Sequence, residues 1–158
     1  MVVYLGADHR GFELKRSIDR FLVDSGYEVE DVTPQKSEGD DYPDVAAKVA
    51  KKVHNNLGQS RGIIICGSGA GVDIVANKFR KIRSVLGFSN DQVFDARHDD
   101  NVNILSLSSD FTDYEAAKNL VRVFLETKFE EKEERFQRRL QKILEIEREI
   151  SGPDIYSG

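Results

Sequence analysis

Short apolar runs alternate along this chain with segments of helical periodicity, and this alternation constrains the fold more than any other feature. Strands are predicted at Val2–Leu5, Tyr27–Val32, Gly62–Cys66, Ser84–Phe88 and Asn103–Leu107. Helices are predicted at Phe12–Leu22, Tyr42–Val53, Val72–Phe79, Asn90–Arg97, Thr112–Thr127 and Glu131–Glu149. Strands that alternate with helices in this way predict an α/β protein with a five-stranded, mostly parallel sheet and helices on both faces.

The chain of 158 residues suits one domain, expected over residues 1–150, with a loose tail at 151–158. The three layers of helix, sheet and helix predict a Rossmann-like sandwich. A net charge of −5 argues against binding to nucleic acid or to a membrane surface. A single cysteine excludes an internal disulfide and fits a reducing compartment, so we expect a cytoplasmic protein.

A glycine-rich turn follows the most apolar strand. The segment Ile63–Cys66 leads into Gly67, Ser68, Gly69, Ala70 and Gly71, and a helix follows. A thiol at that point meets free backbone N–H groups and the positive end of a helix dipole, which stabilise a thiolate and can hold an anion. The alternative is that Cys66 is only a small buried hydrophobic residue. The turn lies on the third strand and lacks a ribose-binding acid, so it is not a dinucleotide motif.

Asp8 and His9 follow the first strand, so they share with Cys66 the sheet edge where ligands bind in such folds. They could hold a sugar hydroxyl or a phosphate. The alternative is that Asp8 caps a helix and His9 is exposed. The pairs Asp40–Asp41 and Asp99–Asp100 lack the ligand spacing of zinc or calcium sites, so no metal site is predicted.

The last long helix has a highly charged beginning and an apolar later face. Arg135 and Arg139 lie four residues apart and point the same way, as a phosphate-binding fork would require. The alternative, which an isolated arginine pair favours, is a solvated charged face with Glu131 and Glu134 as partners. The charged Glu130–Arg139 segment is expected to stay out of the chain's own core, and two interpretations remain open: an exposed helix, or a helix that packs on a partner subunit.

A polar segment, Arg97–Asn103, is predicted as a loop between a helix and the fifth strand. It brings together side chains that can donate or accept protons at the rim of the sheet. A loop that is simply rich in turn-forming residues is the competing interpretation.

Taken together, these segments resemble the ribose-5-phosphate isomerase B and galactose-6-phosphate isomerase family. The resemblance rests on motifs in the family's order that span nearly the whole chain: Gly6–Lys15, Asp41–Pro43, Gly62–Gly71 continuing to Ala76–Lys78, Arg83, Asn103–Leu105 and Glu134–Arg139.

The resemblance implies a homodimer, possibly a dimer of dimers, with composite active sites and neither a metal nor an organic cofactor. It implies that aldose and ketose phosphates interconvert through a cis-enediolate, with Cys66 as the base. The amides of Gly67–Gly71 and the Ser68 side chain would stabilise the oxyanion. His9, Arg135 and Arg139 would hold the phosphate, and Asp8 and Tyr42 would contact the sugar.

Three positions depart from the family pattern. Asp99 stands where the family has the histidine that helps to open the sugar ring, and Asp100 stands at the asparagine that follows it; His98 lies one residue early. Asp110 occupies a position where the family usually has an arginine. Either His98 turns inward, or Asp99 takes over, or the substrate binds differently. We predict that Asp99 faces the sugar, because neighbouring residues in an extended loop point different ways.

The function predicted is an aldose–ketose isomerase of a sugar phosphate, with ribose 5-phosphate as the first candidate. The alternative is a sugar-phosphate-binding or regulatory protein of the same fold, which the changes at Asp99, Asp100 and Asp110 favour. A third hypothesis, a redox sensor at Cys66, requires an exposed thiol.

Overall fold

The computed structural model describes residues 1–151. Five strands form one all-parallel sheet, in the spatial order β2-β1-β3-β5-β4. The strands are β1 Val2–Ala7, β2 Glu28–Asp31, β3 Ser60–Cys66, β4 Ser84–Leu86 and β5 Ile104–Ser108. The helices are α1 Phe12–Asp24, α2 Tyr42–Asn55, α3 Ala70–Ala76, α4 Asn90–Asp100, α5 Tyr114–Glu126 and α6 Glu134–Ser151. The α/β prediction is therefore confirmed, and the tail at 152–158 lies outside the described residues.

Two hydrophobic clusters, one on each face of the sheet, form the core. On one face α1, α4 and α5 pack against Leu5, Ile63, Ile65, Leu105 and Leu107. On the other face α2 and α3 pack against Tyr4, Ile64 and Ile104. The isoleucine run of β3 is fully buried because its side chains alternate between the two clusters. This central strand fixes the position of the glycine-rich turn that follows it.

The predicted loop at Arg97–Asn103 is wrong over its first half, because α4 continues to Asp100. The helix ends at Asn101, which adopts a left-handed conformation with φ 49° and donates its backbone N–H to the carbonyl of Ala96. His98, Asp99 and Asp100 therefore lie on the last turn of a helix. The reasoning about side-chain directions in an extended loop does not apply to them.

The beginning of α6 also differs from the prediction. The helix starts at Glu134, and Phe136, the only aromatic residue of its charged first turns, is 3% exposed. The expectation that this segment stays out of the chain's own core is wrong at that residue, because one aromatic ring is enough to anchor it. Farther along, Ile146 and Ile150 remain 55% and 79% exposed, so the later apolar face has no cover within the described chain.

Candidate active site

The carboxyl edge of the sheet has a crevice between β1 and β3. From β1 the chain proceeds to β2 on one side, and from β3 it proceeds towards β4 and β5 on the other. Such a reversal in strand order leaves a gap where ligands bind in open parallel sheets. Asp8 and His9 follow β1, the Cys66–Gly71 turn follows β3, and Tyr42 begins α2. The structure thus brings together the residues that the sequence analysis placed at this edge.

Cys66 is held by the glycine turn itself. Its side chain is 4% exposed, and its sulfur accepts the backbone N–H of Gly69 at 3.2 Å. Gly69 has φ +77°, a conformation that favours glycine, and it lies against Leu107 of the neighbouring strand. At Gly71 a Cβ atom would lie 2.6 Å from the Tyr42 ring. The turn is therefore tightly packed, with a thiol fixed beside its amides and an aromatic ring over it.

Asp8 and His9 have separate partners. One carboxylate oxygen of Asp8 accepts the backbone N–H groups of Arg10 at 3.0 Å and Gly11 at 2.9 Å, so the capping alternative describes part of its role. His9 Nδ1 lies 2.8 Å from Asp40 Oδ1. That hydrogen bond raises the pKa of His9 above its ordinary value, and the charges of Asp8, Asp40 and Glu38 add to the effect. When it is protonated, His9 at this edge is suited to hold an anion.

Sequence reasoning missed Asp40 as the partner of His9, and it also missed an ion pair between Arg10 and Asp110. The Arg10 guanidinium lies over Gly67, where a Cβ atom would approach its Cζ to 2.5 Å. Asp110 also donates its backbone N–H to the Gly67 carbonyl at 3.0 Å. The acid that departs from the family pattern is therefore matched by an arginine from the loop after β1. No local signal could have shown a contact across 100 residues.

The second group of predicted residues lies at the opposite, amino-terminal edge of the sheet. Helix α4 runs back towards the beginnings of the strands, and Arg83, which directly precedes β4, donates its Nε to the carbonyls of Asp100 at 3.1 Å and Asn101 at 3.0 Å. Strand β3 has seven residues, so the two edges are about 20 Å apart. Within one chain, His98, Asp99 and Asp100 therefore do not reach Cys66.

His98 and Asp99 form a hydrogen-bonded pair on the last turn of α4. His98 Nδ1 lies 2.7 Å from Asp99 Oδ1. The imidazole stacks on Phe94 with ring centroids 5.2 Å apart and meets the edge of Phe136 at 5.8 Å. The two rings hold His98 between α4 and α6. The two candidates for the ring-opening group are thus in contact with each other.

The two predicted arginines of α6 lie on the same side of the molecule as this pair. Arg135 Nε is 3.5 Å from Glu133, and its guanidinium lies 4.7 Å from the centre of the Phe136 ring. Arg139 is close enough to Asp100 to act on its ionisation. The pKa of Asp100 is raised, chiefly by burial and then by Asp99, while Arg139 and Arg83 oppose the rise. The amino-terminal edge thus carries two guanidinium groups beside two carboxylates.

The chemistry of these residues is that of acids, bases and oxyanion-binding groups. Over residues 1–151 no group of three or more His, Cys, Asp or Glu side chains is arranged to hold a metal ion. In the same range no helix is long and apolar enough to cross a membrane.

Comparison with known proteins assigns the family. Residues 3–143 match the family model of the ribose/galactose isomerases. A probable ribose-5-phosphate isomerase B of Mycoplasma genitalium is 41% identical over 149 residues, which are 93% of this chain and 96% of the relative. The ribose-5-phosphate isomerase B of Escherichia coli is 37% identical over 145 residues, 92% and 95% of the two chains.

Solved structures agree in fold. The Mycoplasma genitalium ribose-5-phosphate isomerase B with bound ribulose-5-phosphate superposes with a TM-score of 0.87 at 38% identity, covering 92% of this chain and 95% of that one. For the Clostridium thermocellum ribose-5-phosphate isomerase B the TM-score is 0.89 at 37% identity, covering 95% and 99%. The chain belongs to the ribose/galactose isomerase family and is an aldose–ketose isomerase.

Proposed function

We propose that this enzyme interconverts ribose 5-phosphate and ribulose 5-phosphate. The observation that carries the proposal is the ribulose-5-phosphate bound to a relative that has the same fold and 38% identity. The crevice between β1 and β3 supports it, because a thiol, backbone amides and a histidine with a raised pKa converge there.

The proposed reaction begins when the Cys66 thiolate removes the proton from C2 of the open-chain aldose. The electron pair moves into a C1–C2 double bond, and negative charge develops on the carbonyl oxygen. Amides of the Gly67–Gly71 turn and the Ser68 hydroxyl stabilise that charge as the enediolate forms. Transfer of the O2 proton to O1 and return of the carbon-bound proton to C1 give the ketose. The 3.2 Å contact between Gly69 N–H and the sulfur supports this role, because it holds the sulfur beside the turn.

The substrate's ends would be held by the remaining predicted residues. His9, whose pKa is raised, would supply positive charge for the phosphate when it is protonated, and the Arg135–Arg139 pair would complete the phosphate site. Asp8, Tyr42 and Asp100 would contact the sugar hydroxyls. His9 belongs to the carboxyl edge, whereas both arginines belong to the amino edge.

Because the two edges lie about 20 Å apart in one chain, a complete site requires a second copy. We infer a homodimer in which the amino edge of one subunit closes the carboxyl edge of the other. The exposed Ile146 and Ile150 on α6 supply an apolar surface for it. Light scattering at micromolar concentration should show at least a dimer. A tetramer made of two such dimers would also fit the proposal. A pure monomer would contradict the composite site.

Ring opening would fall to Asp99 of the partner, supported by His98. Ribose 5-phosphate is mainly cyclic, so a group must take the anomeric proton and return one to the ring oxygen. Asp99 can accept that proton, and the imidazole at 2.7 Å can share it. The packing of His98 between Phe94 and Phe136 supports the assignment of ring opening to the Asp99 carboxylate.

A panel of pentose and hexose phosphates, assayed for aldose–ketose conversion, tests the proposal. The fastest turnover is expected with ribose 5-phosphate. Tight binding without turnover would instead support a regulatory sugar-phosphate-binding protein, which the acids at positions 99, 100 and 110 favour. A redox sensor at Cys66 would need an exposed thiol, and Cys66 is only 4% exposed.

A further inference from the structure

A cavity at the amino-terminal edge of the sheet is rich in cationic side chains that the isomerase reaction does not use. Its volume is about 460 Å³, which lies within the range of small-molecule sites. It is lined by Arg61, Arg97, Leu125, Thr127, Lys128, Phe129, Glu130, Glu131 and Lys132. None of these residues belongs to the sugar-phosphate site proposed above. We call it the Arg61–Arg97 cavity.

Neither of its two arginines has a carboxylate partner; Arg97 is buried and Arg61 is half-buried. Arg97 is 3% exposed and donates only to neutral groups, among them Asn101 Oδ1 at 2.9 Å and the Thr127 carbonyl at 3.4 Å; its Nε has no hydrogen-bond partner. Arg61 donates to the Ser60 carbonyl at 2.8 Å. Over residues 1–151 neither arginine forms an ion pair. A buried cation in this state calls for an anion.

Two other cations that are withdrawn from solvent, the buried Lys15 and the half-buried Arg83, have carboxylates near them. Lys15, which is fully buried, pairs with Asp31 at 2.5 Å. Arg83 has Glu147 and Asp100 near it, and both oppose the fall in its pKa. Burial, with the charges of Arg61 and Arg83 adding to it, lowers the pKa of Arg97 to about 10. The pKa of Arg61 also falls, through burial and then through the charge of Arg83. Glu130 and Glu131 line the cavity but do not offset these charges.

We propose that the Arg61–Arg97 cavity binds a phosphate group, as inorganic phosphate or as a small phosphate monoester. Guanidinium groups offer paired N–H donors that match phosphate oxygens, and Lys128 and Lys132 add charge at the rim. A dianion would balance the charge of the buried Arg97 and of the half-buried Arg61 beside it. Because the whole chain carries a net charge of −5, phosphate can be held only by a local concentration of cations such as this one.

The cavity is connected to α6 through the segment that forms one of its walls. Residues 127–132 run directly towards Glu134, where α6 begins, and Glu130 donates its backbone N–H to the His98 carbonyl at 3.0 Å. An anion between the arginines and the two lysines would tie this segment to β3 and α4. Bound phosphate should therefore protect the peptide bonds at 127–133 from proteolysis.

Equilibrium dialysis with radioactive inorganic phosphate tests the proposal. Wild type should bind about two phosphates per chain, one in the isomerase site and one in this cavity. Arg61→Gln and Lys132→Gln should each weaken phosphate binding in the Arg61–Arg97 cavity roughly 10-fold or more. Isomerase activity should stay within about two-fold of wild type. Arg20→Gln, an exposed arginine on α1, is the matched control and should bind as wild type does. Because Lys132 is exposed, its variant reports on binding even if Arg61→Gln folds poorly.

Arg139→Gln distinguishes the two sites, because it should weaken phosphate binding in the isomerase site only. If Arg61→Gln and Lys132→Gln bind phosphate as wild type does, or if binding here saturates only above the millimolar range, the cavity proposal is wrong. That result would not bear on the proposed isomerase function. Loss of binding in Arg139→Gln with unchanged Arg61→Gln would support the isomerase site alone. Repeating the titration with glycerol 3-phosphate shows whether the phosphate group by itself or a monoester is preferred.

Discussion

The two edges of the sheet carry similar chemistry in different states of completion. At the carboxyl edge, each key side chain already has its partner: Cys66 receives the Gly69 amide, His9 binds Asp40, and Arg10 pairs with Asp110. At the amino edge, Asp99, Asp100 and Arg139 are positioned by α4 and α6, about 20 Å from the crevice of the same chain. The carboxyl edge thus holds the proposed base and oxyanion-binding groups, and the amino edge holds the groups proposed to complete the site. This difference is the basis of our proposal that a complete site needs two chains.

The largest effect should come from the carboxyl edge. Cys66→Ala removes the proposed base, so kcat should fall at least ~10²-fold, while the affinity for ribose 5-phosphate changes little. Steady-state kinetics and calorimetric binding measure the two separately. Activity within a few-fold of wild type would remove Cys66 from its role.

At the amino edge, Arg139→Gln should raise KM for ribose 5-phosphate roughly 10-fold or more, because a charge-assisted contact to phosphate is lost. Arg138→Gln provides the matched control, since this neighbouring arginine is exposed and has no place in the proposed site. Its KM should stay within about two-fold of wild type. Equal effects of the two substitutions would mean that α6 acts through its overall charge only.

Substitutions in the His98–Asp99 pair should affect the turnover of substrates that form a ring more than the turnover of substrates that cannot. Asp99→Asn should slow turnover of ribose 5-phosphate more than that of erythrose 4-phosphate, which cannot close a ring through its phosphorylated oxygen. His98→Gln should lower the melting temperature as well, because its ring packs between Phe94 and Phe136. If His98→Gln shows the selective loss and Asp99→Asn does not, the histidine is the ring-opening group.

A smaller effect is expected at Asp40. Its hydrogen bond raises the pKa of His9 above 6.5, so the His9 charge is present below that pH and is lost as pH rises through the raised value. Phosphate affinity should follow the same course. Asp40→Asn should move the inflection of KM against pH to lower pH, and Asp41→Asn, next to it, should not. An unchanged inflection in Asp40→Asn would exclude His9 as the titrating group.

The sequence allowed the sheet and the carboxyl-edge residues to be predicted, because local patterns encode them. The isoleucines of β3 are buried on both faces, and that strand must deliver Cys66 to the edge where Asp8 and His9 also lie. The end of α4 could not be predicted. Arg97 is charged but buried, so the buried face of the helix lacks the apolar pattern from which a helix is recognised. Asp40 and the Arg10–Asp110 pair depend on chain segments that only the fold brings together.

The composite site is the central claim, and subunit mixing tests it most directly. Cys66→Ala and the double variant Arg135→Gln/Arg139→Gln should each be nearly inactive alone at low substrate concentration. After the two are unfolded together and refolded as a mixture, random pairing should restore about a quarter of wild-type activity, because half of the dimers then have one intact site. If native mass spectrometry shows hybrid dimers but activity does not exceed that of the separate variants, the site lies within one chain and the account is contradicted.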